Sequence, residues 1–317
     1  MKKISKHKTP PDLFDSPDLW SEALNRALDE DHWFFDWTSR SVAQTRKTHG
    51  RSAKPAVAEL RAKESGVWAC SGLAEVVRRR GCAIGGEVSV VSHVQNGERF
   101  SKGDVILTLK GSHETILVLE RGMINLASYS CAIATATNQL VQVVKQASSQ
   151  WSATHEMPRV TATRKTLPFY KDIAIHSVLM GGGFSHRVNL AGGVLLKENH
   201  VAAAGSITKA VALAKSTVPH VFRVEVEVTS LKELTEALEA KADGVLLDNF
   251  SPALVSQAVS QIKKSGANCV TEVSGGLNVS NLAGYVQPGV HVLSVGSLTH
   301  SVKALDLSLV FKGASTW

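Results

Sequence analysis

The chain has 317 residues, 44% of them hydrophobic, enough to bury a large core in one or two domains, the larger of α/β-barrel size. A formal net charge of +7 suits anionic ligands, but no zinc-finger, helix-turn-helix or RNA-recognition pattern accompanies it, which argues against nucleic acid. No apolar run approaches the ~20 residues that span a bilayer, the start MKKISKHKTPPDLFDSPDLW lacks a signal-type apolar segment, and Cys70, Cys82, Cys131 and Cys269 form no CxxC pair; the expected setting is a reducing cytoplasm, without membrane, disulfide framework or structural zinc.

Residues 12–48 read as helical, with Leu19-Trp20, Leu24 and Ala27-Leu28 recurring at helix spacing behind a cap offered by Ser16 or Asp18. Trp33, Phe34, Phe35 and Trp37 follow Asp29-Glu30-Asp31, a setting that favours core packing or a subunit interface over base stacking. Residues 44–55 are polar, basic and unpatterned, a loop that closes an N-terminal extension over 1–55. From 56 to 125, strands and a short helix alternate between Gly and Asn-Gly turns, as in a small α+β domain to which the tail 301–317 returns. Arg78-Arg79-Arg80 within it reads as the solvated end of a helix. Glu120–Gln146 carries the strongest helical pattern, small and apolar residues every three or four positions, with Arg121 at its entrance.

Over 126–300 short β-branched runs alternate with helical segments: PRVTATRKT, GVLLKENH, helix ITKAVALAKST, strand FRVEVEV, helix SLKELTEALEAK, strand GVLLDN, helix SPALVSQAVSQIKKSG, strand CVTEVSGG, helix NVSNLAGYV and strand HVLSVGSLTH. Repeated βα units imply a parallel sheet closed, or nearly closed, into a barrel. Arg164-Lys165, Lys197, Glu227, Asp248, Ser274-Gly275-Gly276 and Gly296 all fall at the C-terminal ends of strands, the face that carries chemistry in such barrels.

The stretch from Thr163 to His200 gathers Arg164, Lys165, Lys171, His186, Arg187, Lys197 and His200 against only Asp172 and Glu198, with Gly181-Gly182-Gly183 opening onto His186-Arg187. Cations beside glycine backbone suit an anion-rich small molecule, because Arg binds carboxylate or phosphate in bidentate fashion and Lys supplies a point charge. Glu225 and Glu227 share a strand face, and one of them with Asp248 gives two carboxylates for ribose hydroxyls or a Mg²⁺ bound to polyphosphate. Ser274-Gly275-Gly276 and Ser294-Val295-Gly296 each follow a strand, where glycine lets backbone N–H groups approach a phosphate. His300 either contacts that phosphate or caps the structure.

The stretches ERGMINLASYSCAIATAT, TRKTLP, GGGFSHRVNLAGGVLLKENH, VEVEVTSLKELTEALEAKADGVLLDN and SGGLNVSNLAGYVQPGVHVLSVGSLTHSVKALDLSL resemble, in order, the quinolinate phosphoribosyltransferase family, the carboxylating nicotinate-nucleotide pyrophosphorylases. The resemblance implies an N-terminal α/β sandwich domain and an incomplete, TIM-like α/β barrel. It also implies a homodimer with active sites shared between subunits, leaving open assembly into hexamers. By it, Arg164, His186, Arg187 and Lys197 hold quinolinate, with Arg121 donated by the neighbouring chain. The resemblance likewise implies that Lys165, Glu227, Asp248, Ser274, Gly275, Gly276 and Gly296 hold phosphoribosyl pyrophosphate (PRPP), with Thr163 and His300 as candidates beside them, and that Lys165, Glu227 and Asp248 are catalytic, the two acids reaching Mg²⁺ through PRPP. The implied products are nicotinate mononucleotide, pyrophosphate and CO₂, a step of NAD biosynthesis.

Competing readings are the molybdenum-transport-associated homologue of this family, a nicotinate-type phosphoribosyltransferase and a non-catalytic phosphate-binding barrel. The full cation set favours a dicarboxylate, and Lys165, Glu227 and Asp248 are all present. The chain departs from the family's usual TRKTTPG: Leu167-Pro168-Phe169 stands where Thr-Pro-Gly is common, and Ala162 precedes. Phe for Gly removes backbone freedom there.

Overall fold

A computed structural model describes residues 16–41, 55–84, 86–152 and 154–313, so the first fifteen residues and all but the end of the loop read at 44–55 lie outside the described residues. The chain divides into two units, one formed by 1–136, 168–182 and 302–317, the other by 137–167 and 183–301. The division differs from the one read in the sequence, where 126–136 and 168–182 were given to the barrel.

In the first unit, β1 (Ala56–Ala62), β3 (Val88–Ser92), β5 (Val105–Gly111) and β12 (Leu307–Phe311) form an antiparallel sheet in the order β12-β1-β5-β3, while β2 (Gly66–Val67) pairs with β4 (Arg99–Phe100). The tail thus returns as a strand, pairing Leu60 with Leu309. Helix α1 (Pro17–Glu30) starts at Ser16, whose hydroxyl accepts from the Leu19 N–H at 3.3 Å, with Pro17 in the first turn where its missing donor costs nothing. Trp20, Leu24 and Leu28, one helical turn apart, are buried in the same core as Leu60, Leu107 and Leu109. Helix α1 is therefore part of this unit's core and not an extension. Of the aromatic cluster only Trp33 packs on that core; Phe34, Phe35 and Trp37 are exposed.

Helix α2 (Ser71–Ile84) carries Arg78 and Arg79, both paired with Glu75 on its solvent side. Helix α3 (His113–Ala147) starts seven residues before the pattern-based boundary, so Arg121 is exposed well inside the helix and not at its entrance. By length and composition α3 would reach across a bilayer, which the sequence reading credited to no stretch, but 67% of its apolar window is buried in the protein, as in a core helix. Helix α4 (Lys171–Met180) escaped the sequence reading because Ile173 through Val178 are buried on every side, leaving no amphipathic period to detect. His176 lies at its centre, fully buried and bonded to the Ala69 carbonyl at 3.0 Å.

In the second unit, β6 (Arg159–Thr161), β7 (Val194–Leu196), β8 (Val224–Val228), β9 (Gly244–Asp248), β10 (Val270–Ser274) and β11 (Val292–Ser294) form one parallel sheet in the order β6-β11-β10-β9-β8-β7. Among the described residues β6 and β7 are not paired; β6 instead bridges to Phe184, so the barrel is incomplete. Between the strands run α5 (Glu198–Ala204), α6 (Ile207–Thr217), α7 (Leu231–Glu239) and α8 (Pro252–Ser265), with the short α9 (Ser297–His300) after β11. The run GVLLKENH is strand only to Leu196; the Lys197 N–H then donates to His200 Nδ1 at 3.0 Å and starts α5. NVSNLAGYV forms one 3₁₀ turn, Leu282–Tyr285, in place of the expected helix. Its side chains compete for the backbone: Asn278 Oδ1 accepts from the Ser280 N–H, Asn281 Oδ1 from the Asn278 N–H, and Asn281 Nδ2 donates to the Gly276 carbonyl, all at 2.9 Å.

Candidate active site

Parallel register decides which side chains share the barrel interior, since residues paired across a ladder point to the same face. Leu195, Glu225 and Gly244 form one rung; Glu227, Leu246 and Glu272 form the next; Asp248, Ser274, Ser294 and Thr161 form the third, nearest the C-terminal ends. Above them lies a cavity of about 270 Å³. Its wall is completed by Thr163, Arg164 and Lys165 beyond β6, His186 and Arg187 from the loop before β7, and Lys197 beyond β7.

The cations are not equivalent. Lys197 Nζ lies 2.7 Å from Glu227 Oε2, a pair at the cavity mouth. Arg187 donates to the Gly193 carbonyl at 3.2 Å, and burial together with the nearby Arg164 guanidinium holds it below the usual arginine range. Two guanidiniums that disfavour one another are stabilised by an anion placed between them. Lys165 is fixed through its backbone: its N–H donates to Thr163 Oγ1 at 3.1 Å and its carbonyl accepts from Thr299 Oγ1 at 2.7 Å.

Deeper in, His186 Nε2 lies 2.9 Å from Glu272 Oε2 and 3.8 Å from Glu225 Oε2. Glu272 is 3% exposed, and its other oxygen accepts from Ser294 Oγ at 2.5 Å, with Thr161 Oγ1 2.9 Å beyond that hydroxyl. Burial opposes charge on His186, but the hydrogen bond and charge of Glu272, with the charge of Glu225, outweigh it and raise the imidazole above its ordinary value. Burial and the Glu272 charge push the Glu225 carboxyl up to about 8. Because the folded state then holds this proton more tightly than the unfolded chain, the stabilisation is full below about pH 4.5 and is lost as pH rises through about 8. The melting temperature of the protein is therefore expected to fall, relative to that of Glu225→Gln, between pH 5 and pH 8. A pH-independent difference would contradict this assignment.

The glycine turns differ in what they require. Gly275 has φ +99°, and a Cβ there would lie 2.3 Å from Asn249 Oδ1 and 2.8 Å from the Asn249 backbone nitrogen. Gly276 has φ +62° but open space. Gly296 has an ordinary helical φ, and its missing side chain leaves room for His300 Nε2, Lys165 Cδ and Thr163 Oγ1, each within 3.5 Å of where a Cβ would stand. Gly275→Ala is expected to destabilise by more than about 2 kcal/mol, strain plus overlap, against about 1 kcal/mol for Gly276→Ala from strain alone. Equal losses in chemical denaturation would contradict the reading.

Residues 36–131 match the family model for the N-terminal domain of quinolinate phosphoribosyl transferase, and residues 133–310 match that for its C-terminal domain. The chain belongs to the quinolinate phosphoribosyl transferase family. A probable carboxylating nicotinate-nucleotide pyrophosphorylase of Bacillus subtilis is 33% identical over 286 residues, 90% of this chain and 91% of that protein. Its counterpart in Methanocaldococcus jannaschii is 41% identical over 208 residues, 64% of this chain and 71% of that one. The nicotinate-nucleotide pyrophosphorylase structure from Francisella tularensis superposes with a TM-score of 0.81 at 31% identity, covering 95% of this chain and 99% of that one.

In this quinolinate phosphoribosyl transferase family member, Thr163, Arg164, Lys165, His186, Arg187, Lys197, Glu227, Asp248 and Ser274 line one cavity, and Gly275, Gly276, Gly296 and His300 follow its strand ends. Arg121 lies on α3 in the other unit and is not among the lining residues. Lys171 pairs with Asp172 on α4, and His200 serves α5, so neither joins the cation cluster. Ser294, read as part of a phosphate turn, is 3% exposed and bonds Glu272 instead. Glu272 was missed, although its parity with Ser274 on an apolar strand places it on the interior face. Phe169 adopts φ +63° and is 87% exposed, with Arg26 5.0 Å from its ring: the backbone keeps the left-handed geometry that glycine favours.

Proposed function

We propose that the chain transfers the phosphoribosyl group of PRPP to quinolinate with loss of CO₂, giving nicotinate mononucleotide and pyrophosphate for NAD biosynthesis. The observation that carries this reading is the convergence of Arg164, His186, Arg187 and Lys197 on one cavity that also holds the Glu227 and Asp248 carboxylates. Quinolinate bears two adjacent carboxylates on one small ring, matching several donors that otherwise repel one another. Lys165 and the backbone of Gly275, Gly276 and Gly296 take the phosphates, beside Thr163, Ser274 and His300.

Displacement of pyrophosphate from C1 of the ribose builds positive charge on the sugar. Glu227 and Asp248, fixed on adjacent strands, stabilise that charge where it develops. Their hard oxygen donors also suit a Mg²⁺ carried in by PRPP, which when bound would neutralise charge on the leaving pyrophosphate. The His186–Glu225–Glu272 cluster converges within 4.8 Å, but its imidazole donor and internal hydrogen bonds suit proton sharing better than Mg²⁺. The ring nitrogen, once alkylated, draws electrons from the neighbouring carbon, so that carboxylate can leave as CO₂ without a dedicated decarboxylation cofactor.

The working form in this proposal is a homodimer, alone or assembled further into hexamers, in which Arg121 of the partner subunit completes the quinolinate site; the exposure of Arg121 on α3 supports it. A reducing cytoplasm suits the four free cysteines, among them Cys70 and Cys131 with sulfurs 3.8 Å apart.

The direct test is formation of nicotinate mononucleotide from quinolinate, PRPP and Mg²⁺, with nicotinate replacing quinolinate in a parallel reaction. Product from quinolinate alone is expected. Product from nicotinate alone would shift the reading to a nicotinate-type enzyme, and product from neither to a binding protein or the divergent homologue.

A further inference from the structure

Resting on the decarboxylating reaction proposed above, a second question is where the ring carbon finds its replacement proton. When the C2–carboxylate bond breaks, its electron pair stays on C2, CO₂ departs, and C2 must take up one proton. The cavity holds few acids able to supply it. Lys197 is engaged with Glu227, Lys165 is assigned to the phosphates, Glu225 holds its proton up to about pH 8 but is not among the lining residues, and the guanidiniums of Arg164 and Arg187 do not release protons at working pH. His186 is different. Its Nε2 is bonded to Glu272, and its Nδ1 has no hydrogen-bond partner among the described residues.

We propose that His186 protonates C2 through Nδ1, and that Glu272, anchored by Ser294 and Thr161, is the positioning residue that keeps this imidazole charged and correctly turned. In the step, the Nδ1–H bond breaks, the proton passes to C2, and the neutral imidazole is reprotonated from water. The geometry has the form of a carboxylate–histidine pair: a buried carboxylate accepting from one ring nitrogen fixes the orientation and protonation of the other. Glu272 is itself fixed, its second oxygen held by Ser294 Oγ, which meets Thr161 Oγ1 across the β11–β6 pairing.

The groups facing His186 are Glu272 from β10, whose charge favours the imidazolium, Glu225 from β8, which adds to that only as its own carboxyl ionises near pH 8, and Arg187 from its own loop, which opposes it. Around the rest of the cavity stand Arg164, Lys165 and Lys197 with Glu227 and Asp248.

The test uses the full-length protein with quinolinate and PRPP, following pyrophosphate, CO₂ and nicotinate mononucleotide separately across pH. In Glu272→Gln, pyrophosphate release is expected to persist while nicotinate mononucleotide formation falls about 100-fold, in the range lost with a general acid. Without a proton at hand the electron pair on C2 recaptures CO₂ and re-forms the carboxylate bond, so quinolinate mononucleotide accumulates, CO₂ release falls with nicotinate mononucleotide, and the alkaline limb of the remaining activity moves to lower pH. Ser294→Ala, a smaller change less prone to misfolding, is expected to show the same uncoupling about tenfold, within what one hydrogen bond to a charged group contributes. If pyrophosphate and CO₂ decline together in both variants, with no intermediate and an unchanged pH profile, Glu272 acts only on packing or substrate binding and the proposal fails. If the unmodified protein makes no product from quinolinate, the parent reading fails instead.

Discussion

Arg164→Ala is expected to raise the KM for quinolinate about 100-fold while changing kcat by less than about tenfold, the loss of about 2–4 kcal/mol of charge-assisted hydrogen bonding to a carboxylate. Arg164 extends from the segment after β6 and lines the cavity near enough to Arg187 to disfavour its charge. In the free enzyme that repulsion is a small cost. With a dicarboxylate bound, both guanidiniums meet negative charge and the cost is relieved. Removing Arg164 therefore weakens binding of substrate and transition state alike, because the quinolinate carboxylates are present in both. Relief of Arg187 returns part of the loss, which keeps the expected change nearer two orders of magnitude than three. Initial rates with quinolinate varied at saturating PRPP decide the matter: a fall in kcat at constant KM would remove Arg164 from the quinolinate site.

How much of this site could be read from the chain depends on periodicity. Glu227 lies one residue before the end of β8 and Asp248 ends β9, and with Lys197 beyond β7 they came into phase because each comes at the close of a short apolar run. The same rule failed where burial or side-chain chemistry overrides period. Helix α4 is buried all round and carries no stripe, so Lys171 was grouped with cations that lie in the other unit. NVSNLAGYV has helical apolar spacing, yet Asn278 and Asn281 bond the backbone themselves and stop it after one turn. Glu272 was passed over because a single acid in an apolar strand carries little weight until register sets it beside Leu246 and within reach of His186. Helix α1 shows the reverse case: its cap and apolar stripe were legible, but that it closes the core over Leu60 and Leu107 is a long-range fact no local pattern contains.

Asp248→Ala is expected to lower kcat by about 10²–10³ with a smaller change in the KM for PRPP, the range seen when one preorganised charge-stabilising group is removed. Asp248 ends β9 half-buried, on the rung shared with Ser274 and Ser294, and Asn249 Nδ2 donates to it at 2.7 Å. Asn249 is itself fixed, with φ +57° and its N–H bonded to the Ser274 carbonyl at 2.9 Å. The carboxylate is thus held before substrate arrives and needs no reorganisation as charge appears. In the ground state it contacts a neutral sugar; as pyrophosphate departs, the ribose carbon becomes cationic and the attraction grows. An interaction that strengthens only on the way to the transition state appears in kcat, which separates Asp248 from Arg164. Asp248→Asn keeps the shape and the Asn249 contact while removing the charge, and it is expected to be nearly as slow as the alanine variant. Full activity in Asp248→Asn would mean that the side chain positions the sugar by hydrogen bonding and that its charge plays no part in the displacement.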